Sequence, residues 1–177
     1  MSHPPFGQAI VIMGVSGSGK TTVAERLARR LGWAFLEGDR LHPSANVEKM
    51  RQGIPLNDAD RWPWLDRIGE ELKDWGRTGR SGLLTCSALK RAYRDRIRAA
   101  RPDVRIVYLK GSEALIQSRV STRQHEYMPA SLLRSQFEAL EEPRPDEGVI
   151  TIEASDSADA EVAAIMSALH LVDWDPA

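Results

Sequence analysis

Apolar and polar residues follow two alternating patterns along this chain. Short runs rich in apolar and β-branched residues predict strands, and the segments between them repeat apolar residues every three or four positions, which predicts helices. Strands that alternate with helices are typical of a parallel sheet with helices on both faces, so we expect a three-layer α/β fold with a five-stranded parallel sheet. The predicted strands are 9–13, 34–37, 82–86, 104–109 and 149–153, and the helical patterns lie at 22–31, 65–75, 93–100, 114–120 and 162–169.

The first predicted strand leads into a glycine-rich loop. Residues 14–21 read Gly-Val-Ser-Gly-Ser-Gly-Lys-Thr, which completes the pattern G-x-x-x-x-G-K-[ST], and a predicted helix that stops at Gly32 follows them. In such a loop the backbone N–H groups and the helix N-terminus bind phosphate, the lysine reaches the β- and γ-phosphates, and the next hydroxyl ligates Mg²⁺. A glycine-rich turn that fits by chance is the alternative, but strand and helix both stand where the motif requires them. Lys20 is expected to act in catalysis, and the expected nucleotide-binding residues are Gly14, Val15, Ser16, Gly17, Ser18, Gly19, Lys20, Thr21 and Thr22.

Composition narrows the class of protein. The chain has 177 residues, the length of one domain, so residues 1–177 are expected to form a single kinase domain. Its 24 basic and 25 acidic residues nearly cancel, which gives no general field for nucleic acid or membrane and favours a small anionic partner. The lone cysteine, Cys86, excludes an intramolecular disulfide and is expected in the core. Residues 1–6 lack signal-peptide features and no apolar run approaches the ~20 residues that span a bilayer, so a cytoplasmic location is expected.

Two stretches depart from simple alternation of strands and helices. Residues 40–79 are too long for one crossover, and residues 121–131 are polar without a core-facing period. Small kinases use such parts to close over their substrates and exclude water, so we expect an acceptor-binding insertion in the first and a lid in the second. Within the insertion, the segment Asn-Asp-Ala-Asp at residues 57–60 is expected to supply an N-cap for a helix that begins at Arg61 and carries Pro63 in its first turn. Arg61 could meet an anionic substrate there.

Carboxylates follow the second predicted strand, where the chain reads Glu37, Gly38 and Asp39. Ligands of open parallel sheets bind beyond the carboxyl ends of the strands. Because phosphoryl transfer depends on positioning more than on strong basicity, a carboxylate here can orient the acceptor hydroxyl or hold Mg²⁺ through water. We expect Asp39 to contact the hydroxyl, and Glu37 to serve the metal together with Thr21. An Asx turn at Gly38 and Asp39 is the structural alternative.

Two pairs of basic residues are further candidates. Lys90 and Arg94 lie one helical turn apart after the third strand and could present two cations to an anion; a solvated basic face is the alternative. Ser87 is the candidate cap of that helix. Arg119 and Arg123 lead into the lid, where arginine can stabilise charge on a transferring phosphate, or they lie on an ordinary exposed helix end.

Seven segments spread over almost the whole chain carry a family resemblance. They are Gly-Val-Ser-Gly-Ser-Gly-Lys-Thr from Gly14, Glu-Gly-Asp-Arg-Leu-His-Pro from Glu37, Asn-Val-Glu-Lys-Met from Asn46, Gly-Ile-Pro-Leu-Asn-Asp-Ala-Asp-Arg-Trp-Pro-Trp-Leu from Gly53, Cys-Ser-Ala-Leu-Lys from Cys86, Tyr-Leu-Lys-Gly from Tyr108 and Ser-Gln-Phe-Glu-Ala-Leu-Glu-Glu-Pro from Ser135. Together they resemble the gluconokinases of the P-loop kinase superfamily. The first segment occurs in many proteins, whereas D-x-x-H-P, P-L-N-D-x-D-R and C-S-A-L-K in this order are specific to that family.

The resemblance implies an adenylate-kinase-like fold and a reaction. ATP, with Mg²⁺, would give its γ-phosphoryl group to the 6-hydroxyl of D-gluconate, and the product would be 6-phospho-D-gluconate. The family also implies a homodimer. Carried over position by position, the residues expected to hold the sugar acid are Asp39, His42, Arg61, Lys90 and Gln136.

The chain departs from the family pattern at two places. Glu37 stands where the family usually has aspartate, so the carboxylate is kept on a side chain that is one methylene longer. The lid reads Arg-Gln-His-Glu-Tyr-Met-Pro over residues 123–129, against a family pattern close to Arg-Lys-Gly-His-Phe-Met-Pro. His125 therefore replaces a glycine, and Glu126 replaces the family histidine.

Three other functions share parts of this pattern. A shikimate or other small-acid kinase would have the same phosphate loop and lid arginines, and only the insertion separates it. A GTP-dependent switch would use the D-x-x-G at residues 66–69, but that segment lies within a helical pattern and no Asn-Lys-x-Asp segment occurs. A non-catalytic nucleotide-binding module would not need Asp39 or the lid arginines.

Overall fold

The computed structural model describes residues 7–122, 130–155 and 157–175. The strands in these residues are β1 (Ala9–Met13), β2 (Ala34–Glu37), β3 (Gly82–Thr85), β4 (Arg105–Lys110) and β5 (Ile150–Glu153). Within the described ranges they form one sheet of five parallel strands in the order β2-β3-β1-β4-β5, which confirms the predicted fold class. Because β1 is central, the loop that follows it lies in the middle of the carboxyl edge of the sheet.

Helices connect successive strands and cover the sheet. Over the described ranges they are α1 (Lys20–Leu31), α2 (Ser44–Arg51), α3 (Asp58–Thr78), α4 (Arg91–Ala100), α5 (Glu113–Thr122), α6 (Ala130–Ala139) and α7 (Ala158–Ala168). α1 ends where predicted, because Gly32 adopts a left-handed φ of 65° and its N–H bonds back to the last turn. No helix in the part of the chain that the structure describes is both long and apolar enough to cross a membrane.

The sheet separates two apolar layers, and β1 contributes to both. Ala9, Val11 and Met13 pack into a cluster with α3 and α4, whereas Ile10 and Ile12 pack into a second cluster with α1 and α7. Successive strand residues point to opposite faces, so a strand that is covered on both sides is apolar at every position. This burial explains the unbroken apolar run before the glycine loop.

α3 begins earlier than the sequence pattern predicts. The Asn57 Oδ1 accepts a hydrogen bond of 2.8 Å from the Asp60 N–H, and the Asp60 Oδ2 accepts one of 3.0 Å from the Asn57 N–H. This reciprocal capping box satisfies the first turn, so the helix starts at Asp58. The expected cap from residues 57–60 is confirmed, and Asn57 is the N-cap residue. The expected start at Arg61 is wrong, and Pro63 lies in the second turn.

Residues 40–79 divide into two structural parts. α3 turns Trp64, Ile68 and Leu72 into the core and so serves as the crossover helix between β2 and β3. The 3-10 turn Gly38–Leu41, α2 and the loop up to Asn57 instead contribute to a cavity shared with the phosphate loop. This second part gives the carboxyl edge of the sheet an extra wall.

Candidate active site

The glycine loop lies between β1 and α1, as predicted. Gly14, Gly17 and Gly19 have φ angles of 149°, 82° and 96°, a region that side-chain-bearing residues rarely adopt. Space also requires glycine, since a Cβ on Gly14 would lie 2.9 Å from the Leu109 carbonyl oxygen and one on Gly17 would lie 2.8 Å from Val120 Cγ2. The backbone can therefore turn tightly and offer its N–H groups to a phosphate at the start of α1.

Two predicted site residues are attached directly to this loop. The Lys20 Nζ donates a hydrogen bond of 3.0 Å to the Val15 carbonyl oxygen, which holds the ammonium group over the loop. From α6, the Gln136 Oε1 accepts a hydrogen bond of 2.7 Å from the Ser16 N–H. Gln136 therefore lies where the phosphate loop meets the neighbouring cavity.

The two predicted metal ligands lie side by side. The Thr21 hydroxyl donates a hydrogen bond of 2.6 Å to the Glu37 Oε2, and the other Glu37 oxygen accepts a hydrogen bond from the Thr85 hydroxyl. Hydroxyl and carboxylate oxygens suit Mg²⁺, which takes its remaining ligands from phosphates and water. The described ranges contain no group of three or more His, Cys, Asp or Glu side chains that could hold a metal. The pair thus fits a magnesium ion that is bound mainly through a nucleotide.

A cavity of about 400 Å³ joins the phosphate loop to the predicted acceptor residues. Asp39 follows β2 on one side of it, with 72% of its side chain exposed. Apolar residues of α2 and of the loop after it, among them Val47 and Ile54, also line the cavity. The polar lining includes Ser16, Lys20, Asp39, His42, Arg61 and Gln136.

His42 is held rigidly at the wall of this cavity. Its side chain is 3% exposed, and the ring stacks on the Trp64 indole, with centroids 4.1 Å apart and an interplanar angle of 16°. Trp64 is itself fixed by a hydrogen bond of 2.8 Å from its Nε1–H to the Gly38 carbonyl oxygen. Burial, reinforced by the nearby Arg61 charge, lowers the pKa of His42 to about 4. The imidazole is therefore neutral at neutral pH, and its Nε2 lies 3.9 Å from the Asp39 Oδ1.

Lys90 lies apart from the other predicted acceptor residues, in a neighbouring cavity of about 440 Å³. Its Nζ donates a hydrogen bond of 2.8 Å to the Asp58 Oδ1, which also accepts one from the Tyr93 hydroxyl. The hydrogen bond from Lys90, and then that from Tyr93, lowers the pKa of Asp58. Arg61 lines both cavities and makes no salt bridge within the described residues. Arg61 is therefore the better-placed cation for an anion in the acceptor cavity.

Arg119, in the last turn of α5, lies against the phosphate loop. Its Nη1 donates a hydrogen bond of 3.2 Å to the Ser18 carbonyl oxygen, and its Nη2 donates one to the Ser155 carbonyl oxygen. The guanidinium therefore contributes positive charge beside the nucleotide site. Arg123, His125 and Glu126 lie outside the described residues, with the rest of the predicted lid tip at 123–129.

The prediction that Lys90 and Arg94 present two cations to one anion is wrong. Arg94 is fully buried, and its guanidinium makes two hydrogen bonds, of 2.6 and 2.9 Å, to the Glu147 carboxylate. It also donates to the carbonyl oxygens of Ala88 and Leu89. Arg94 is therefore neither a substrate cation nor part of a solvated basic face, because the fold uses it to bind the chain after α6 to the start of α4.

Ser87 does not cap α4. The helix begins three residues later than that cap would require, with Lys90 as its N-cap residue, and the Arg91 N–H donates a hydrogen bond of 2.8 Å to the Glu141 Oε2. A carboxylate from after α6 thus replaces the local cap. Cys86 is a core residue, as predicted: it is 1% exposed, and burial raises the pKa of its thiol to about 12.

Sequence reasoning missed several residues that shape the site. Asn46 is buried and contacts both the His42 ring and the backbone of Asp60. Asp58 neutralises Lys90, and the Thr85 hydroxyl holds Glu37. Asn46 and Asp58 both lie within the segments that carry the family resemblance, and this position could have marked them as candidate site residues. The bond from Asn46 to Asp60 spans 14 residues and that between Asp58 and Lys90 spans 32, so these two pairings could not be found in the sequence.

The fold and the site together define the class of protein. The nucleotide site of a P-loop enzyme is formed by three features: a glycine loop after the central strand of a parallel sheet, a Lys-Thr pair at the start of α1, and the Glu37 carboxylate at the end of β2. The cavity between that site and Asp39 is suited to an acceptor molecule. These features define a P-loop kinase.

Comparison with known proteins identifies the kinase family. A family model described as an AAA domain matches residues 10–143. The chain is 51% identical over 143 residues to a gluconokinase from Gluconobacter oxydans, covering 81% of this chain and 80% of that protein. Two crystal structures, each 41% identical, are similar in fold: an unliganded sugar kinase from Janibacter with a TM-score of 0.88, covering 93% of this chain and 95% of that one, and a gluconokinase from Sinorhizobium meliloti with a TM-score of 0.80, covering 94% and 98%. The chain belongs to the gluconokinase family.

Proposed function

We propose that this chain catalyses the ATP-dependent phosphorylation of D-gluconate at its 6-hydroxyl, giving 6-phospho-D-gluconate and ADP. The observation that carries the proposal is the cavity that joins Lys20 of the phosphate loop to Asp39 and Arg61. A phosphoryl donor and a polar, anionic acceptor can meet there, shielded from part of the solvent. The relatives supply the particular acceptor, since both the Gluconobacter oxydans and the Sinorhizobium meliloti proteins are gluconokinases.

Positive groups surround the place where the triphosphate would bind. The N–H groups of the glycine loop and the N-terminus of α1 bind phosphate oxygens, and Lys20 neutralises charge that develops on the transferred group. Arg119 adds a second cation from its position against the Ser18 carbonyl. We assign Arg123 the same role from the lid. Positioning and charge stabilisation of this kind supply most of the catalysis in phosphoryl transfer.

Thr21 and Glu37 are the residues that would hold Mg²⁺. Their oxygens lie 2.6 Å apart at the junction of α1 and β2, and the Thr85 hydroxyl orients the Glu37 carboxylate. When bound, the ion would neutralise part of the negative charge of the phosphates during transfer.

Asp39 and Arg61 divide the work on the acceptor. Asp39 accepts a hydrogen bond from the 6-hydroxyl and so orients the hydroxyl oxygen toward the γ-phosphate. A strong base is not needed, because the transition state of phosphoryl transfer is loose. Arg61 binds the carboxylate of the sugar acid, for which a guanidinium offers two parallel N–H donors. The cation therefore distinguishes the sugar acid from an uncharged sugar of the same length.

The proposal includes two further properties of the protein, its location and its oligomeric state. We infer that the protein acts in the cytoplasm, where both ATP and reduced cysteine are maintained. We also infer a homodimer. Sedimentation equilibrium of the purified chain would measure twice the monomer mass if the second inference is right, and a single monomer mass would contradict it.

A coupled assay of ADP release tests the proposed reaction directly. The purified protein is supplied with ATP, Mg²⁺ and one acceptor from a panel of D-gluconate, D-glucose and shikimate. We expect turnover with gluconate, none above background with glucose, and none with shikimate. Lys20→Ala, checked for native circular dichroism, is the control for contaminating kinases. Preferential turnover of shikimate, or of glucose, would show that the acceptor assignment is wrong.

A further inference from the structure

We propose that Asn46 is a positioning residue that fixes the tautomer of His42, so that the His42 Nε2–H is presented as a neutral hydrogen-bond donor to an acceptor oxygen beside Asp39. The inference rests on the proposed function for the identity of that oxygen. The tautomer itself follows from the contacts of the free protein.

The orientation of the Asn46 amide is determined by a backbone carbonyl. Asn46 lies on α2 and is 3% exposed; its Nδ2 is 2.7 Å from the carbonyl oxygen of Asp60, at the start of α3. The reverse orientation would put the Asn46 Oδ1 at that distance from another acceptor oxygen, which is repulsive. The NH₂ group therefore points toward α3.

The same NH₂ group determines where the His42 proton lies. The Asn46 Nδ2 is also 3.2 Å from the His42 Nδ1. With one amide hydrogen donated to Asp60, the second is donated to the ring, so Nδ1 must be the acceptor. A neutral imidazole that accepts at Nδ1 carries its hydrogen on Nε2.

The ring cannot easily turn away from this arrangement. His42 is stacked on Trp64, whose indole N–H is bound to the Gly38 carbonyl. The Nε2 of the ring lies 3.9 Å from the Asp39 Oδ1, a separation too long for a direct hydrogen bond, and both residues line the acceptor cavity. A hydroxyl of the acceptor that reaches Asp39 can donate to the carboxylate and accept from Nε2–H, and both contacts then fix its direction.

Burial, with a smaller contribution from nearby charged groups, keeps the His42 ring neutral. Arg61 disfavours protonation and Asp39 favours it, while the carboxylate of Asp60 is balanced by hydrogen bonds of 2.7 and 2.9 Å from the Lys49 Nζ. Burial is the largest influence and lowers the pKa of His42 to about 4. The donor therefore keeps one protonation state between about pH 5 and pH 8.

Nitrogen-15 NMR of the free protein tests the tautomer without any substrate. The His42 signals are assigned by their loss in His42→Gln. In the wild type we expect the neutral Nε2–H form between about pH 5 and pH 8. In Asn46→Ala the Nδ1 acceptor loses its partner, so the pKa of His42 should rise and the two tautomers should mix. A wild-type ring that carries its proton on Nδ1, or is charged at neutral pH, would overturn the proposal.

Kinetics with a matched control tests the positioning role. Lys49→Met removes the other bond between α2 and Asp60 and leaves the hydrogen bond and ring stacking of His42 in place, so it measures loss of helix anchoring together with loss of the cation that balances Asp60. We expect Asn46→Ala to lower kcat/KM for gluconate roughly tenfold with little change in KM for ATP, and Lys49→Met to lower it much less. Equal losses in the two variants would show that Asn46 only anchors α2 to α3, and would overturn the inference. Because the NMR result is independent of turnover, a chain with this tautomer but no gluconate activity would contradict the proposed function alone.

Discussion

The Thr21 hydroxyl donates a hydrogen bond of 2.6 Å to the Glu37 carboxylate, which links the first turn of the helix after the glycine loop to the end of β2. Both residues would serve Mg²⁺ in the proposed reaction. We expect Glu37→Gln to raise the Mg²⁺ concentration that gives half-maximal activity, because an amide oxygen attracts the ion less strongly than a carboxylate. Magnesium titration of the initial rate measures this.

Glu37→Asp is the control for that variant. It keeps the charge and restores the aspartate that the family usually carries at this position, so its magnesium requirement should stay close to that of the wild type. If Glu37→Gln left the magnesium requirement unchanged, the carboxylate charge would not act on the ion, and the metal role of Glu37 would be wrong.

Asp39→Asn should lower turnover far more than nucleotide affinity. The side chain is 72% exposed at the acceptor cavity, so the change should leave the fold intact. The acceptor hydroxyl loses the carboxylate that accepts its hydrogen bond, so we expect kcat to fall roughly a hundredfold or more. Steady-state kinetics and calorimetric titration with a non-hydrolysable ATP analogue separate the two quantities. A matching loss of nucleotide affinity would place Asp39 on the donor side instead.

Arg61 and Lys90 should differ in their effect on gluconate binding. The Lys90 charge is already paired with Asp58, whereas Arg61 faces the cavity without a salt bridge in the described part of the chain. We expect Arg61→Ala to raise KM for gluconate roughly tenfold or more, and Lys90→Ala to raise it less. Arg61→Lys, which keeps the charge but loses the planar fork, should be intermediate. If Lys90→Ala proved the more damaging variant, the carboxylate would bind in the second cavity.

The buried pair of Arg94 and Glu147 should be important for stability. Glu147→Gln leaves a guanidinium that is fully buried with no opposite charge, and a loss of about 3–5 kcal/mol in the free energy of unfolding is expected. Asp146→Asn is the matched control, because its partner Arg91 and Asp146 itself are both well exposed. That variant should cost less than about 1 kcal/mol. Urea denaturation gives both values, and similar losses would contradict the assigned importance of burial.

The same pair predicts a window for acid unfolding. The hydrogen bonds from Arg94 lower the pKa of Glu147 from its ordinary value of 4.5 to about 2. A carboxyl whose pKa is lower in the folded state stabilises the fold fully above its unfolded value and loses that contribution as the pH falls toward the folded value. The free energy of unfolding should therefore fall between pH 4.5 and about 2, and this part of the pH dependence should vanish in Glu147→Gln. An unchanged acid profile in the variant would show that other carboxyls dominate.

Local sequence determined the elements that depend on neighbouring residues. The glycine loop, the end of α1 at Gly32 and the carboxylates after β2 were all predictable, because backbone freedom at glycine, helix period and strand alternation act over a few residues. Lys20, Thr21 and Glu37 could also be assigned to one site, because the carboxyl ends of parallel strands meet at one edge of a sheet.

Tertiary structure alone decided which charged groups are available to a substrate. Lys90 and Arg94 look alike in sequence, one helical turn apart, yet one pairs with Asp58 at a cavity and the other is buried against Glu147. The bond from Asn46 to the Asp60 carbonyl and the hydrogen bond from the Thr85 hydroxyl to Glu37 likewise depend on partners that chain folding brings together. A charged or polar side chain has the same intrinsic chemistry everywhere, but its partner and its exposure are set by packing between distant segments, and no local pattern records them.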